Sequence, residues 1–284
     1  MHSRTAAALR SSLLAVGLLT ATACAPKYAV LISSNQVSMD NVAYHSEWWY
    51  DLIVQYQMLR ESGFSDDRIL VLYGDGQDFA TSRPEYDAQA LFGHTITDSP
   101  VSRAAVHDVF TKVDSRMRKR GYLYVWWMGH GGGSGPGQCD LSMQISNTGE
   151  AVSDDEFKAA IEQVRRFRKR SVSIMTCHSG GLLDEFGAGE KTVVLTSSTC
   201  AESSYDAPAT CNGAVQADFN VTQPGALARY DFCGGAIASD GSGNGFVSLL
   251  ETQQWNAAAM STSTPQLEDP DSLAAALEPS RPNP

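Results

Sequence analysis

Five apolar runs constrain this chain more than anything else in it: YAVLIS (28–33), ILVLY (69–73), YLYVWWM (122–128), SVSIMT (171–176) and TVVLTS (192–197). Most are continuously apolar rather than alternating. A strand with one wet face alternates, so these runs suit strands buried on both faces of a parallel sheet. Helical patterns lie between them. Residues 46–62 place Trp49, Leu52, Ile53, Tyr56 and Leu59 at helical spacing, and residues 100–119 do the same with Val106, Val109, Phe110, Val113 and Met117. Ser99 is the expected N-cap of that second helix, with Pro100 at its first position. In 153–169, Ser153 and Glu156 form a capping box, and Phe157, Ile161 and Val164 line one face. Strands alternating with helices predict an α/β domain with right-handed crossovers.

Two helical patterns run into cations: Arg116, Arg118, Lys119 and Arg120, then Arg165, Arg166, Arg168, Lys169 and Arg170. A patch for nucleic acid or an anionic membrane is one reading. Cations at helix C-termini, favoured by the helix dipole, are the preferred one. The net charge of -11 over 284 residues argues the same way, because so acidic a chain is a poor nonspecific nucleic-acid binder. The last stretch, 261–284, holds five of the eleven prolines and is expected to be an extended tail, loosely packed or disordered.

The first residues have the pattern of an export signal. Arg4 and Arg10 precede or flank the apolar stretch SSLLAVGLLT (11–20), and Ala21-Thr22-Ala23 offers a cleavage site. That stretch is too short to span a bilayer as a mature helix. Residues 1–23 are thus read as a signal peptide, and their removal takes the charge to about -13. Cys24 follows directly. The arrangement is similar to a bacterial lipobox, with Ala21 where Leu is usual, so lipidation of Cys24 with membrane anchoring and plain secretion both stay open. Export permits disulfides. Cysteines stand at 24, 139, 177, 200, 211 and 233, none in a C-x-x-C pair, which argues against a zinc site. Cys200 and Cys211, across a polar loop, are the expected disulfide; Cys139 with Cys233 is a further pairing without support of its own.

Chemistry collects at two strand ends. One run ends at Met128-Gly129-His130, followed by three more glycines; the next ends at Thr176-Cys177-His178-Ser179-Gly180-Gly181. In open α/β sheets, ligands bind outside the carboxyl ends of the strands. Neighbouring parallel strands are about 5 Å apart, so His130 and Cys177 would reach one rim. A thiol needs a base or cation beside it to be a good nucleophile near neutral pH, and an imidazole can supply the base and later protonate a leaving amine. Glycines leave room for a substrate backbone and free N–H groups for an oxyanion, here those of Gly131 and Cys177. Alone, a strand-end cysteine is usually a small buried hydrophobe and a histidine in a glycine turn is usually structural. The pair is the signal. An HGGG run is also found in the oxyanion loop of lipases, but no G-x-S-x-G elbow follows it here.

His130 precedes Cys177 by 47 positions, near the spacing of about 50 in the caspase signature. The order strand–GHG, helix, strand–CHSGG resembles the caspase-like cysteine peptidases of clan CD, most like the legumain and GPI-transamidase family. YAVLISSN with YQMLRESGFSDDRILVLYGDG resembles that family's first strand–helix–strand unit, and VVLTSSTCAESSYDA its segment after the nucleophile. The resemblance spans residues 28–260. It implies a caspase-like three-layer α/β sandwich with a mostly parallel sheet flanked by helices. It also implies a peptide or protein substrate and a peptidase or transamidase acting through Cys177 and His130. A histidine-orienting Asn would be Asn41, and Ser204 would form a pocket wall. Asparagine specificity is not implied: no Arg lies between Arg10 and Arg60, and the acid expected two residues before the nucleophile is Met175. Glu202 and Asp206, acidic and near that segment, would favour a basic side chain.

Residues 240–251 read DGSGNGFVSLLE. Asp240, Ser242, Asn244, the Phe246 carbonyl, Ser248 and Glu251 match an EF-hand loop, with Gly245 at its turn. Only two of these are anions, so affinity should be weak, about 10⁻⁴–10⁻³ M. The alternative is a glycine-rich turn whose spacing is accidental; bacterial members of the family it resembles often carry such a loop. Three functions follow. The first is an exported cysteine endopeptidase with a domain over 24–260. The second is a transamidase or ligase using the same dyad. The third is an inactive calcium-binding surface module.

Overall fold

Each of the five apolar runs forms a strand of one sheet. The computed structural model describes residues 25–34, 46–117, 120–133, 135, 139–145, 148–205, 240–260, 262–282 and 284. The strands are β1 (Lys27–Ser33), β2 (Ile69–Tyr73), β3 (Gly121–Met128), β7 (Phe167–Met175) and β8 (Thr192–Thr196). They pair in parallel in the order β2-β1-β3-β7-β8, and all are buried throughout except for the first three residues of β7. Helices on both faces explain why no alternation appears. On one face, α1 (Ser46–Glu61) and α5 (Leu249–Ala259) pack with Trp126, Tyr124 and Leu195. On the other, α3 (Arg103–Arg116) and α4 (Asp154–Ile161) pack with Val125, Trp127 and Ile174. The fold is a mostly parallel α/β sandwich of three layers. A short α2 (Ala88–Phe92) and a second sheet of β4 (Gly131–Gly133), β5 (Leu141–Ile145) and β6 (Glu150–Ser153) complete it before α4.

The expected helix starts fare differently, for a physical reason. Ser153 caps α4 in a full capping box with Glu156. Ser99 does not cap α3. Its carbonyl accepts from the Tyr73 N–H and it bridges to Leu72, while the Val101 N–H donates to Gly74. Residues 99–101 are thereby held extended beside β2, and the cap passes to Ser102, whose hydroxyl accepts from Ala105. Helix α4 ends at Ile161, well short of 169. The second basic run therefore lies in a turn and in β7, not at a helix terminus. Arg165 bonds Asp114 through its backbone N–H and its guanidinium. Arg170 is fully buried, stacked on Phe167 and Phe186 and donating to Thr192. Arg116 does close the last turn of α3.

The segment after α5 is not a loose tail. Its strand β9 (Gln266–Glu268) adds to β8 antiparallel, with Leu195 opposite Leu267. Ala274 and Leu277 are buried, and their carbonyls accept from Leu250 and Leu249 at the start of α5. Proline excludes helix here, yet a three-residue edge strand and a run of turns need none of the donors that proline lacks. Among the described residues no helix is long and apolar enough to cross a membrane.

Candidate active site

The register of the sheet aligns three strand ends. Ser33 faces Met128, and Met128 faces Met175. The ladder runs one residue further: Ser34 N–H donates to Met128 and Gly129 N–H to Met175. The chains then part, and the neighbouring strands β3 and β7 deliver His130 and Cys177 to the same rim. His130 is exposed, with its ring edge-on to Trp48 of α1 at 4.8 Å. Cys177 is a half-buried free thiol whose sulfur lies 3.7 Å from the Ser204 carbonyl, its hydrogen-bond acceptor. Gly131 joins the two. A methyl group there would sit 2.1 Å from the Cys177 carbonyl oxygen and 2.7 Å from Thr176 Oγ1, so only a hydrogen fits between the turns.

Pairing of β4 with β5 decides what the Gly131 N–H can do. Gly131 stands opposite Met143, and Gln144 N–H donates to the His130 carbonyl. That bond makes Gly131 and Met143 a pair in the non-hydrogen-bonded register, so the ladder leaves the Gly131 N–H unused. A thiol, an imidazole and an N–H that the ladder does not use, all on one rim, are the parts that acyl transfer requires.

Ser204 lies against the thiol-bearing turn. Its hydroxyl donates to the Thr176 carbonyl at 2.9 Å and meets Ser197 Oγ. Glu202 is spent otherwise than the sequence suggested. Its carboxylate accepts from the N–H groups of Thr199 and Thr264 and from the Thr264 hydroxyl, so it ties two loops together rather than facing a basic ligand. Burial pushes its pKa up, but those bonds outweigh burial and hold it below the ordinary carboxylate value. Met175, two residues before the thiol, is buried, with its sulfur accepting the Trp126 indole N–H. Asn41 and Asp206 lie outside the described residues, as do Cys24, Cys211 and Cys233.

The disulfide differs from the expected one. Cys200 is bonded to Cys139, 61 positions earlier, not to Cys211. The hairpin of β4 and β5 folds back over the turn Ser179–Glu185, where a methyl on Gly181 would strike the Cys139 carbonyl at 2.1 Å. That fold sets Cys139 beside the end of β8, a proximity that sequence spacing does not report. His178, Thr176 and Trp48 also belong to the site and were not singled out by their sequence. The signal for His178 was its position directly after the thiol.

The loop 240–251 closes around its first residue. Asp240 accepts from the Ser242 hydroxyl and the N–H groups of Asn244 and Gly245. Glu251 reaches back to the Ser242 N–H at 2.8 Å while forming a capping box with Ser248, the N-cap of α5. Burial raises the pKa of both carboxyls, and these donors overcome it, so both are held below their ordinary values as anions. Gly243 and Gly245 hold left-handed backbone, at φ 68° and 82°. Hard oxygen donors on one loop fit a calcium ion in kind. Among the described residues no cluster of three or more His, Cys, Asp or Glu side chains forms a metal site.

A groove of about 470 Å³ lined by Tyr28, Asp67, Arg68, Ser115 and Arg116 lies at the other end of the sheet, where the strands begin. It lies away from the rim that carries His130 and Cys177. A scan against protein-family models finds no match to this chain, and a search of curated proteins finds none.

Proposed function

We propose that the chain is an exported cysteine endopeptidase in which Cys177 is the nucleophile and His130 the acid–base. The observation that carries this reading is the strand register, which brings both residues off adjacent strands with Gly131 packed on the Cys177 carbonyl. The thiol sulfur bonds to a substrate carbonyl carbon as His130 takes its proton. The negative oxygen is met by the N–H groups of Gly131 and Cys177. His130 then protonates the leaving amine, the C–N bond breaks, and a thioester is left. Water, deprotonated by His130, releases the acyl group and restores the thiol. Export is supported by the signal-like N-terminus and by a disulfide in the fold. An asparagine pocket is not part of the proposal, because Met175 is apolar and turned into the core.

A peptide carrying an electrophilic ketone tests the reading. Wild type is expected to be labelled once, at Cys177, and His130→Ala to be labelled more slowly by about 100-fold, the usual worth of a general base. Equal labelling of wild type and Cys177→Ala would overturn it.

The loop 240–251 is proposed to hold calcium, with Asp240 and Glu251 as its anions and Ser242, Asn244, Phe246 and Ser248 supplying further oxygens. The ion would give the loop structure and takes no part in the chemistry. At ten times its Kd, calcium stabilises the folded chain by about 1.4 kcal/mol. The melting temperature should therefore rise in millimolar calcium over chelator, and Asp240→Asn should abolish the rise. An unchanged melting temperature in wild type rejects the site.

A further inference from the structure

His178 holds a backbone conformation that its residue type avoids, φ 60° and ψ 20°. A non-glycine residue in that left-handed region costs about 1 kcal/mol, so its surroundings must keep it there. Three hydrogen bonds do so. Its N–H donates to the Glu202 carbonyl at 2.8 Å, and its carbonyl accepts from Gly181 at 3.0 Å. Its ring Nδ1 lies 2.9 Å from the Cys200 carbonyl. A carbonyl only accepts, so Nδ1 carries the hydrogen. The ring also lies against the glycine strand that follows His130: a methyl on Gly133 would be 3.2 Å from its Cγ and Nδ1. Cys200 is itself fixed by the disulfide to Cys139, which stands between that glycine strand and β5. The connections close a ring. They run from His130 along β4 to Cys139, across the disulfide to Cys200, and through His178 to Cys177.

We propose that His178 is the positioning residue of this site, its ring pinning the thiol-bearing turn to the disulfide-bonded Cys200. The site then works only with Cys139 and Cys200 oxidised and Cys177 reduced. This rests on the reading of Cys177 as a nucleophile. Dithiothreitol would undo the brace: its two thiols pass two electrons and two protons to the disulfide, leaving Cys139 and Cys200 as thiols and itself as a cyclic disulfide. Thiol enzymes generally gain from reductant, because it keeps the nucleophile reduced. Here the gain would be followed by a loss.

The test uses the full chain and iodoacetamide at neutral pH, with carboxamidomethylation of Cys177 read by peptide mass spectrometry. Reductant is removed by desalting before the reagent is added. His178→Ala should react at Cys177 about tenfold more slowly or worse, the effect of a misplaced reactive group. His178→Asn should restore the rate, because asparagine tolerates the left-handed region and its amide can donate to Cys200. Cys139→Ser with Cys200→Ser should be slow without any reductant, while keeping a cooperative melt. Wild type treated with excess dithiothreitol should match it. A wild-type rate in His178→Ala, in the paired serine variant or in fully reduced wild type overturns the proposal. So does a failure of His178→Asn to restore the rate. The peptide-ketone experiment separates the two layers. If Cys177→Ala abolishes labelling while His178→Ala reacts normally, the positioning role alone falls. If Cys177→Ala labels as wild type does, the nucleophile falls and takes this role with it.

Discussion

One methyl group on Gly131 is expected to disable the site, because it would meet the Cys177 carbonyl and Thr176 at the same time. Neither neighbour is the end of a flexible side chain. The turns must separate, at about 1–3 kcal/mol for overpacking. Gly131→Ala should thus lower the melting temperature, and should slow alkylation of Cys177 more than Gly132→Ala does, since Gly132 has no neighbour within 3.4 Å. Much of this could be read in advance. A glycine beside a strand-end histidine signals close approach. What it approaches is a contact 46 positions away, and local pattern does not carry that. Arg170 makes the same point from the other direction. A cation in a basic run reads as a solvated charge, yet the run begins β7, and the position that points inward is enclosed by Phe167 and Phe186.

Elements were legible where their signals are local. The capping box of α4 is closed by residues three apart, so it appeared as expected. The start of α3 was decided by β2, which holds Ser99 extended, and no local rule reports that. The loop after β8 depends on a similar distant tie, from Glu202 to Thr199 and Thr264. That tie has a pH signature. The folded pKa of Glu202 lies below its ordinary 4.5. Its stabilisation is therefore complete above about 4.5 and is lost as the pH falls through the lower folded value. The carboxylate is only partly buried, so solvent screening limits the effect to under about 1 kcal/mol. Glu202→Gln should melt about 1–3 °C below wild type at neutral pH, and the gap should narrow at a pH well below 4.5. A gap of the same size at both pH values would show that the charge is not what matters.

Across the whole molecule, the five-strand parallel sheet was legible from its apolar runs, and its sixth strand was not. Three residues of half-buried strand give no periodicity, and the prolines around them read as disorder. The segment is nonetheless anchored at both ends. Ser263 donates to Ser197 beside the site, and Pro279 accepts, together with Ser62, from the buried Lys27 ammonium at the start of β1. Lys27→Met would leave those two carbonyls without this donor. It should cost about 1–3 kcal/mol, measured by denaturant unfolding, with little change in the rate at Cys177. A stability loss below that range would mean the segment is held elsewhere.

The antiparallel pairing of β9 with β8 has a consequence in time. Val194, Leu195 and Thr196 wait for partners 70 or more positions along the chain. Contacts between such distant residues form late in folding. Until they form, the outer side of β8 is a row of unpaired amides beside apolar side chains, open to a strand from any other molecule. The slow arrival of one short strand thus makes refolding a competition between closure within the chain and association between chains, and dilution favours the first.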